Sequence, residues 1–568
     1  MNFQERANDI WSIANLLRGY YKQHDYGKII LPFTILRRLD ELLEPTKNKV
    51  LDAYEDKKKQ TPEALENLLN RISGYRFHNR SKFTLKSLIA DANNLQPNLR
   101  NYINGFSKQA KEIFDYFDFD TQIAKLDDGQ LLFLIVKEFS IKTYKDLSPL
   151  EMGYVFEHLI RKFAEVSNET AGEHFTPREI IELMVNILFS EDSESLTREG
   201  IVRTLYDPAC GTGGMLSEGD AHIRELNPEA RLELFGQEIN PESYAICKSE
   251  MLIKGQNPTQ IKFGNSFTQD GLENEKFDYM LSNPPFGVEW KKEKKFIEDE
   301  HNKIGFAGRF GAGLPRINDG SLLFLLHMIS KMKDESQGSR IGVIFNGSPL
   351  FNGSAGSGES NIRQWIIEKD YLEAIIALPD QLFYNTGIST YLWIVTNRKS
   401  KKRQGKVQLI NATSYFREMM RSLGSKRKYI SPEQIIEITQ EYGHFTESKI
   451  CKIYDNADFG YHRITVERPK RDAKGNIIKK GGKPTADSEL RDYENIPLKE
   501  DIQTYFEREV LPHVPDAWID ESKTKVGYEI NFTKYFYEFK PLRSLNEIRA
   551  DILALEQETD GLIDEVIK

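Results

Sequence analysis

The chain has 568 residues, 39% of them hydrophobic and 29% charged, with a formal net charge of -9. That length exceeds one compact core and the balance is that of a globular chain, which excludes a disordered protein. No apolar run approaches the roughly 20 residues that cross a bilayer. Met1-Asn2-Phe3-Gln4-Glu5-Arg6 also lacks the basic-then-apolar pattern of a secretory signal, so a cytoplasmic protein with no membrane partner is expected.

In chain order, residues 1–147 read as a helical domain. Ile10, Trp11, Ile13, Leu16 and Leu17 share one side of a helix, and Ile35, Leu36, Leu39, Leu42 and Leu43 repeat the spacing before Pro45. Ser148-Pro149-Leu150-Glu151 has the cap, first-turn proline and N3 glutamate that open a new helix, and Thr176-Pro177-Arg178-Glu179 repeats the signature. From about residue 200 short apolar runs alternate with helical stretches. Leu205-Tyr206, Leu234-Phe235, Phe277 to Leu281, Ile341 to Phe345, Ala374 to Ala377, Tyr391 to Val395 and Val407 to Ile410 are the expected strands. The pattern implies an α/β domain over residues 148–415 with a mostly parallel, doubly wound sheet whose ligands sit at the strand C-terminal ends. Residues 416–568 form a charged C-terminal region with a basic loop from Arg468 to Lys483. Leu545, Ile548, Ile552, Leu555, Thr559, Leu562 and Val566 alternate steps of three and four, as in a coiled-coil seam on a final helix of about residues 543–568.

Chemistry concentrates after three of these strands. Asn283-Pro284-Pro285-Phe286 follows Phe277 to Leu281. The Asn283 amide oxygen and the Pro284 carbonyl can hold the hydrogens of an exocyclic amine, Pro285 helps stiffen the loop, and Phe286 offers a face to a base rotated out of a duplex. Taken alone, the same residues make an ordinary turn. Asp207-Pro208-Ala209-Cys210-Gly211-Thr212-Gly213-Gly214 follows the first strand and leads into a helix. Its glycines permit close backbone approach to a ligand, but it lacks the third glycine of a dinucleotide fingerprint and the Lys-Ser/Thr of a phosphate loop. Glu238, one unit later in Gly236-Gln237-Glu238-Ile239-Asn240-Pro241, stands where a ribose hydroxyl would be held. Gly172-Glu173-His174-Phe175-Thr176-Pro177 leads into a helix terminus suited to a carboxylate. No metal is expected, because His174 has no second His or Cys at ligand spacing and none of Cys210, Cys247 and Cys451 forms a Cys-x-x-Cys pair.

In this order and spacing the four motifs resemble those of the modification subunits of type I restriction-modification systems, and the similarity extends over at least residues 150–400. The resemblance implies S-adenosylmethionine-dependent methylation of adenine N6 in DNA, with catalysis at Asn283, Pro284, Pro285 and Phe286. It implies a cofactor held by Gly172, Glu173, His174, Phe175, Thr176 and Pro177, by Asp207, Ala209, Gly211, Thr212, Gly213 and Gly214, and by Glu238 and Asn265. Two positions depart from the family: Asn265 stands where aspartate is common and His174 where tyrosine or phenylalanine is common, which leaves both contacts open. The implied partners are DNA, a specificity subunit, a second copy of the modification subunit and an ATP-dependent restriction subunit. Other amino-methyltransferases, acting on cytosine N4, RNA or protein glutamine, share the same logic, and a silent assembly scaffold is the rival of a different class. The acidic total requires phosphate affinity from a local patch or a partner. Lys291, Lys292, Lys294 and Lys295 read as close to DNA. Arg398, Lys399, Lys401, Lys402, Arg403 and Lys406 read as a solvated loop ahead of a DNA contact.

Overall fold

The computed structural model describes residues 3–167, 176–192, 196, 200–384, 386–537 and 544–559. The chain divides into two compact units, Met1–Ile530 and Asn531–Lys568. In the first unit, most helices from Phe3–Trp11 to Leu132–Ile141 pack around one apolar core with the helix Pro149–Ser167, while Lys47–Lys57 and Pro62–Ser73 meet in a small core of their own around Val50, Leu65 and Leu69. Phe33 stacks on Phe139 at 5.3 Å and meets Phe119 edge-on at 4.9 Å. The helix Pro149–Ser167 opens on the expected capping box: Ser148 N donates to Glu151 Oε2 at 2.8 Å and Glu151 N to Ser148 Oγ at 3.2 Å. This core takes in Ala245, Ile246, Leu252 and Ile253 of the helix Pro241–Ile253. Every residue of that helix from Ser243 onward is buried, so the helical region and the sheet share it as a wall.

The sheet is built from β1 (Val202–Asp207), β2 (Arg231–Glu238), β3 (Ile261–Phe263), β4 (Tyr279–Ser282), β5 (Arg340–Asn346), β6 (Leu372–Ala377), β7 (Thr390–Thr396) and β8 (Lys406–Asn411). A hairpin, β9 (Arg417–Leu423) and β10 (Lys426–Tyr429), lies outside it, and β11 (Cys451–Asp455) closes one edge. The order is β11-β8-β6-β7-β5-β4-β1-β2-β3. Five neighbouring pairs are parallel and three antiparallel, β7 running against both β5 and β6. All seven expected strands are present, and the mostly parallel α/β architecture is the one the alternation implied. β3 and β11 carry too few apolar residues to stand out in sequence. The sheet also continues past residue 415, because β11 pairs with β8 from Cys451↔Ile410 to Asp455↔Lys406.

Beyond the sheet, β12 (Gly460–Glu467) leads into the basic segment, where β13 (Lys479–Lys480) and β14 (Lys483–Pro484) pair as a small hairpin rather than an open loop. β15 (Asp492–Pro497), β16 (Trp518–Ile519) and β17 (Lys525–Tyr528) all pair with β12 around a small core of Ile464, Val466, Ile496, Phe506 and Val510. In the second unit, the helix Leu545–Thr559 starts on a Ser544–Glu547 capping box, and Leu545, Ile548, Ile552 and Leu555 are exposed along it. Leu562 and Val566 lie outside the described residues. Among the described residues, no helix is long and apolar enough to cross a membrane.

Candidate active site

The strand order reverses at β1, which has β2 on one side and β4 on the other, so loops leaving β1 and β4 diverge around a crevice. The register Leu205↔Tyr279 and Tyr206↔Met280 brings both loops to the same end of the sheet. There a cavity of about 310 Å³ is lined by Asp207, Ala209, Gly211, Thr212 and Gly214 from the loop after β1, with Glu238, Asn265, Asn283, Pro285 and Thr176 around it. Gly213, Pro284 and Phe286 belong to the same loops without lining that cavity. Gly172, Glu173, His174 and Phe175 lie outside the described residues.

The glycine loop is held from beneath. Asp207 Oδ1 accepts from Ala209 N at 2.9 Å and from Ser282 Oγ at 2.8 Å, tying the end of β1 to the end of β4. Burial pushes the Asp207 carboxyl up to about 7, opposed by these hydrogen bonds and reinforced by the charge of Glu238. Gly213 has φ +88°, and a Cβ there would stand 2.8 Å from Cys247 Sγ, so only glycine fits this turn against the helix Pro241–Ile253. The Glu238 carboxylate accepts from Gly211 N at 2.8 Å and Asn240 N at 2.7 Å, which fixes it at the cavity edge between the two loops.

Thr176 does not cap its helix. The helix Arg178–Ser190 has Pro177 as its N-cap with no side-chain cap bond, and Thr176 Oγ1 instead accepts from Asn283 Nδ2 at 3.0 Å. Glu179, the expected N3 partner, pairs with Lys426. Asn283 is thereby oriented: its amide nitrogen is anchored, while its buried Oδ1 has no hydrogen-bond partner among the described residues. An unsatisfied buried acceptor is costly, and its position on the cavity suits it to receive an N–H from a ligand. Phe286, half-buried, meets the buried Phe383 edge-on at 6.2 Å.

Asn265 lines the cavity but its side chain serves its own loop. Its Oδ1 accepts from Phe267 N at 2.8 Å and its Nδ2 donates to Glu293 Oε1 at 3.0 Å. That loop is clamped from behind by Arg309, which donates to the carbonyls of Ser266 at 3.0 Å and Phe267 at 2.7 Å, and by Lys331, paired with Asp270 at 2.6 Å. His327, buried and pushed down to about 3 by desolvation, bridges Arg309 and Tyr206. Glu157, Trp290 and Phe324 also line the cavity. Burial pushes the Glu157 carboxyl up to about 7 against the pull of Arg178 at 3.6 Å. Nothing local in sequence marks Glu157, Trp290, Arg309 or Phe324, although all lie within the residues 150–400 over which the family resemblance extends. Among the described residues no group of three or more His, Cys, Asp or Glu is placed to hold a metal ion.

The two basic runs differ. Lys291, Lys292 and Lys295 are exposed, and Lys294 faces Glu298 at 3.6 Å. Between β7 and β8, by contrast, Arg398 pairs with Asp192, Lys399 with Asp370 at 2.6 Å and Arg403 with Glu191 at 3.2 Å; Arg403 is fully buried. Half of this second run is therefore internal framework, while Lys401, Lys402 and Lys406 are exposed as in a solvated loop.

Compared with known proteins, residues 148–461 match the family described as N-6 DNA Methylase and residues 6–139 match the HsdM N-terminal domain. The chain is similar to the MjaIX type I restriction enzyme methylase subunit of Methanocaldococcus jannaschii, with 26% identity over 78% of this chain and 77% of that protein. It is 31% identical to the HindI type I restriction enzyme methylase subunit of Haemophilus influenzae over 46% of this chain, which spans about half of that protein, 54%. The crystal structure of a type I restriction-modification system methyltransferase subunit from Streptococcus thermophilus superposes with a TM-score of 0.62. It has 21% identity and covers 81% of this chain and 97% of that one, a likeness of fold.

Proposed function

This chain belongs to the N-6 DNA methylase family, and from that membership we infer its activity: transfer of the methyl group of S-adenosylmethionine to N6 of adenine in DNA, as the modification subunit of a type I restriction-modification system. The observation that carries the chemistry is the Asn283 amide of the cavity wall, anchored through Nδ2 to Thr176 with its buried Oδ1 unpartnered among the described residues. An adenine amine donating to Oδ1 and to the Pro284 carbonyl has its hydrogens held in place, which turns the nitrogen lone pair out of conjugation with the ring and makes it nucleophilic. Phe286, braced edge-on by Phe383, offers its face to the rotated base.

The cavity residues fit the cofactor. S-adenosylmethionine supplies a methyl group on a sulfonium. Glu238 would hold the ribose hydroxyls, Thr212 to Gly214 would let the backbone approach closely, and Gly172 to Pro177 would receive the amino-acid carboxylate at the start of the following helix. Asn265 keeps the loop that carries Phe267 in shape beside Phe324, an apolar wall suited to a purine.

DNA and other restriction-modification subunits are its partners. The finer assembly we propose is two copies of this chain with one specificity subunit, to which an ATP-dependent restriction subunit adds. Support comes from the acidic total charge, which leaves phosphate affinity to be supplied partly by another chain, and from the exposed apolar positions of the last helix. The test is transfer of labelled methyl from S-adenosylmethionine to DNA, with and without the cognate specificity subunit, followed by nucleoside analysis. Label in N6-methyladenine is expected, and only with both proteins present. Label in N4-methylcytosine, RNA or protein would replace the reading with another amino-methyltransferase. No transfer from a complex that binds both DNA and cofactor would leave a scaffold.

A further inference from the structure

The β9–β10 hairpin is a two-stranded sheet apart from the others, and its composition is unlike that of the chain around it. Arg417 to Tyr429 holds five cations and one acid in a protein whose net charge is -9. The hairpin is irregular: Lys426 pairs with Leu423 and Lys428 with Glu418, so Met419 to Ser422 bulge out of the ladder opposite Arg427. Met420 on this bulge is 101% exposed, as far from any core as a side chain can be.

The turn of the hairpin and the start of β10 are pinned to the segment beside the methyl-transfer site. Ser425 N donates to Tyr384 O at 2.8 Å and Arg427 N to Gln381 O at 2.9 Å. Lys426 Nζ donates to Leu382 O at 2.9 Å and pairs with Glu179, on the helix that follows Thr176. The segment so held contains Phe383, whose ring braces Phe286. Two of the five cations are therefore structural, Lys426 through these contacts and Lys428 through Asp380 at 2.6 Å. Arg421 and Arg427 are exposed and have no ion-pair partner among the described residues.

We propose that this hairpin is a DNA-contacting element of the methyl-transfer site, Arg421 and Arg427 engaging phosphates beside the target adenine and Met420 entering the base stack next to it. The proposal rests on the reading of the chain as a DNA adenine methylase. A base rotated out of a duplex leaves a gap whose neighbours lose stacking, and an exposed, unbranched apolar side chain flanked by cations is the chemistry that fills such a gap while the cations neutralise the backbone.

The test uses the complex of this chain with its specificity subunit, on duplexes carrying the site mapped by wild-type methylation. Arg421→Ala/Arg427→Ala should bind cognate and unrelated duplexes alike roughly tenfold more weakly. It should flatten the logarithmic salt dependence by about two per methylase copy, as lost phosphate contacts do. Met420→Ala should keep most of the affinity but lose most of the fluorescence rise of 2-aminopurine placed at the target adenine. Both variants should bind S-adenosylmethionine like wild type. Unchanged salt dependence and unchanged 2-aminopurine signal would overturn the proposal while leaving the methylase reading intact. Loss of co-purification with the specificity subunit, with normal salt dependence in what complex remains, would overturn it in favour of a protein contact. A wild-type complex that methylates no adenine would remove the reading beneath it, and the hairpin's role with it.

Discussion

Asn283 can activate an amine because its two ends meet different surroundings. Nδ2 is anchored on Thr176 and Oδ1 is left for a ligand, so the amide is held in one of its two orientations before substrate arrives. Asn283→Ala and Phe286→Ala should therefore keep cofactor binding by calorimetry and lower methyl transfer roughly a hundredfold or more, in the manner of other preorganised polar groups. Retention of substantial activity in both would sink the assigned mechanism. Thr176→Val removes the anchor alone. It should reduce kcat about tenfold with little change in KM, and Thr176→Ser should restore it, whereas a merely structural threonine would show no such rescue. Asp207 gives a pH signature. Its carboxyl is raised from 3.8 to about 7, so the folded state keeps a proton that the unfolded state releases, and stability present below 3.8 is lost as pH rises toward about 7. Asp207→Asn, which keeps an acceptor for Ala209 N, should gain on wild type across that window. Thermal melts at about pH 5 and about pH 8 should show the variant relatively more stable at the higher value, and parallel curves would contradict a raised Asp207.

At the scale of elements, the motifs mattered for what they follow. Proline and glycine loops after β1 and β4 become a site only because those strands are neighbours at the point where the sheet order reverses. The loop between β7 and β8 makes the opposite point. Its six cations read in sequence as a solvated loop, but Arg398, Lys399 and Arg403 reach acids on helix–strand connections, because a charge run in sequence says nothing of where its partners lie. Arg403 also donates to Gln408 Oε1 at 2.8 Å and to the Tyr442 carbonyl. Arg403→Ala, by stranding these groups, should cost about 3 kcal/mol of stability in denaturant melts. The salt dependence of DNA binding should be unchanged; a flatter one would return this loop to the DNA interface. Lys401→Ala, exposed on the same loop, should leave stability as it is.

At the scale of the whole molecule, assembly is assigned to the surfaces the first unit does not use for its own core. The helix Leu545–Thr559 carries apolar residues at coiled-coil spacing that stand exposed. Removing residues 545–568 should weaken co-purification with the specificity subunit while calorimetry still finds a filled cofactor site; unchanged co-purification would rule out this helix as the assembly contact. By itself the sequence determined the parts whose causes are local: the helical texture of residues 1–147, the capping box at Ser148, seven strands and their alternation with helices, and the glycine and proline loops at strand ends. Each follows from spacing within a few residues. Only the tertiary structure decided that Thr176 serves Asn283 rather than its helix, that Asn265 braces its own loop against Glu293, that Arg309 and Lys331 clamp that loop from behind, and that Glu157 reaches the cavity from the helix beginning at Pro149. A hydroxyl, an amide or a carboxylate can satisfy a neighbour in sequence or one far away with similar energy, and which it does depends on what packing brings within about 3 Å.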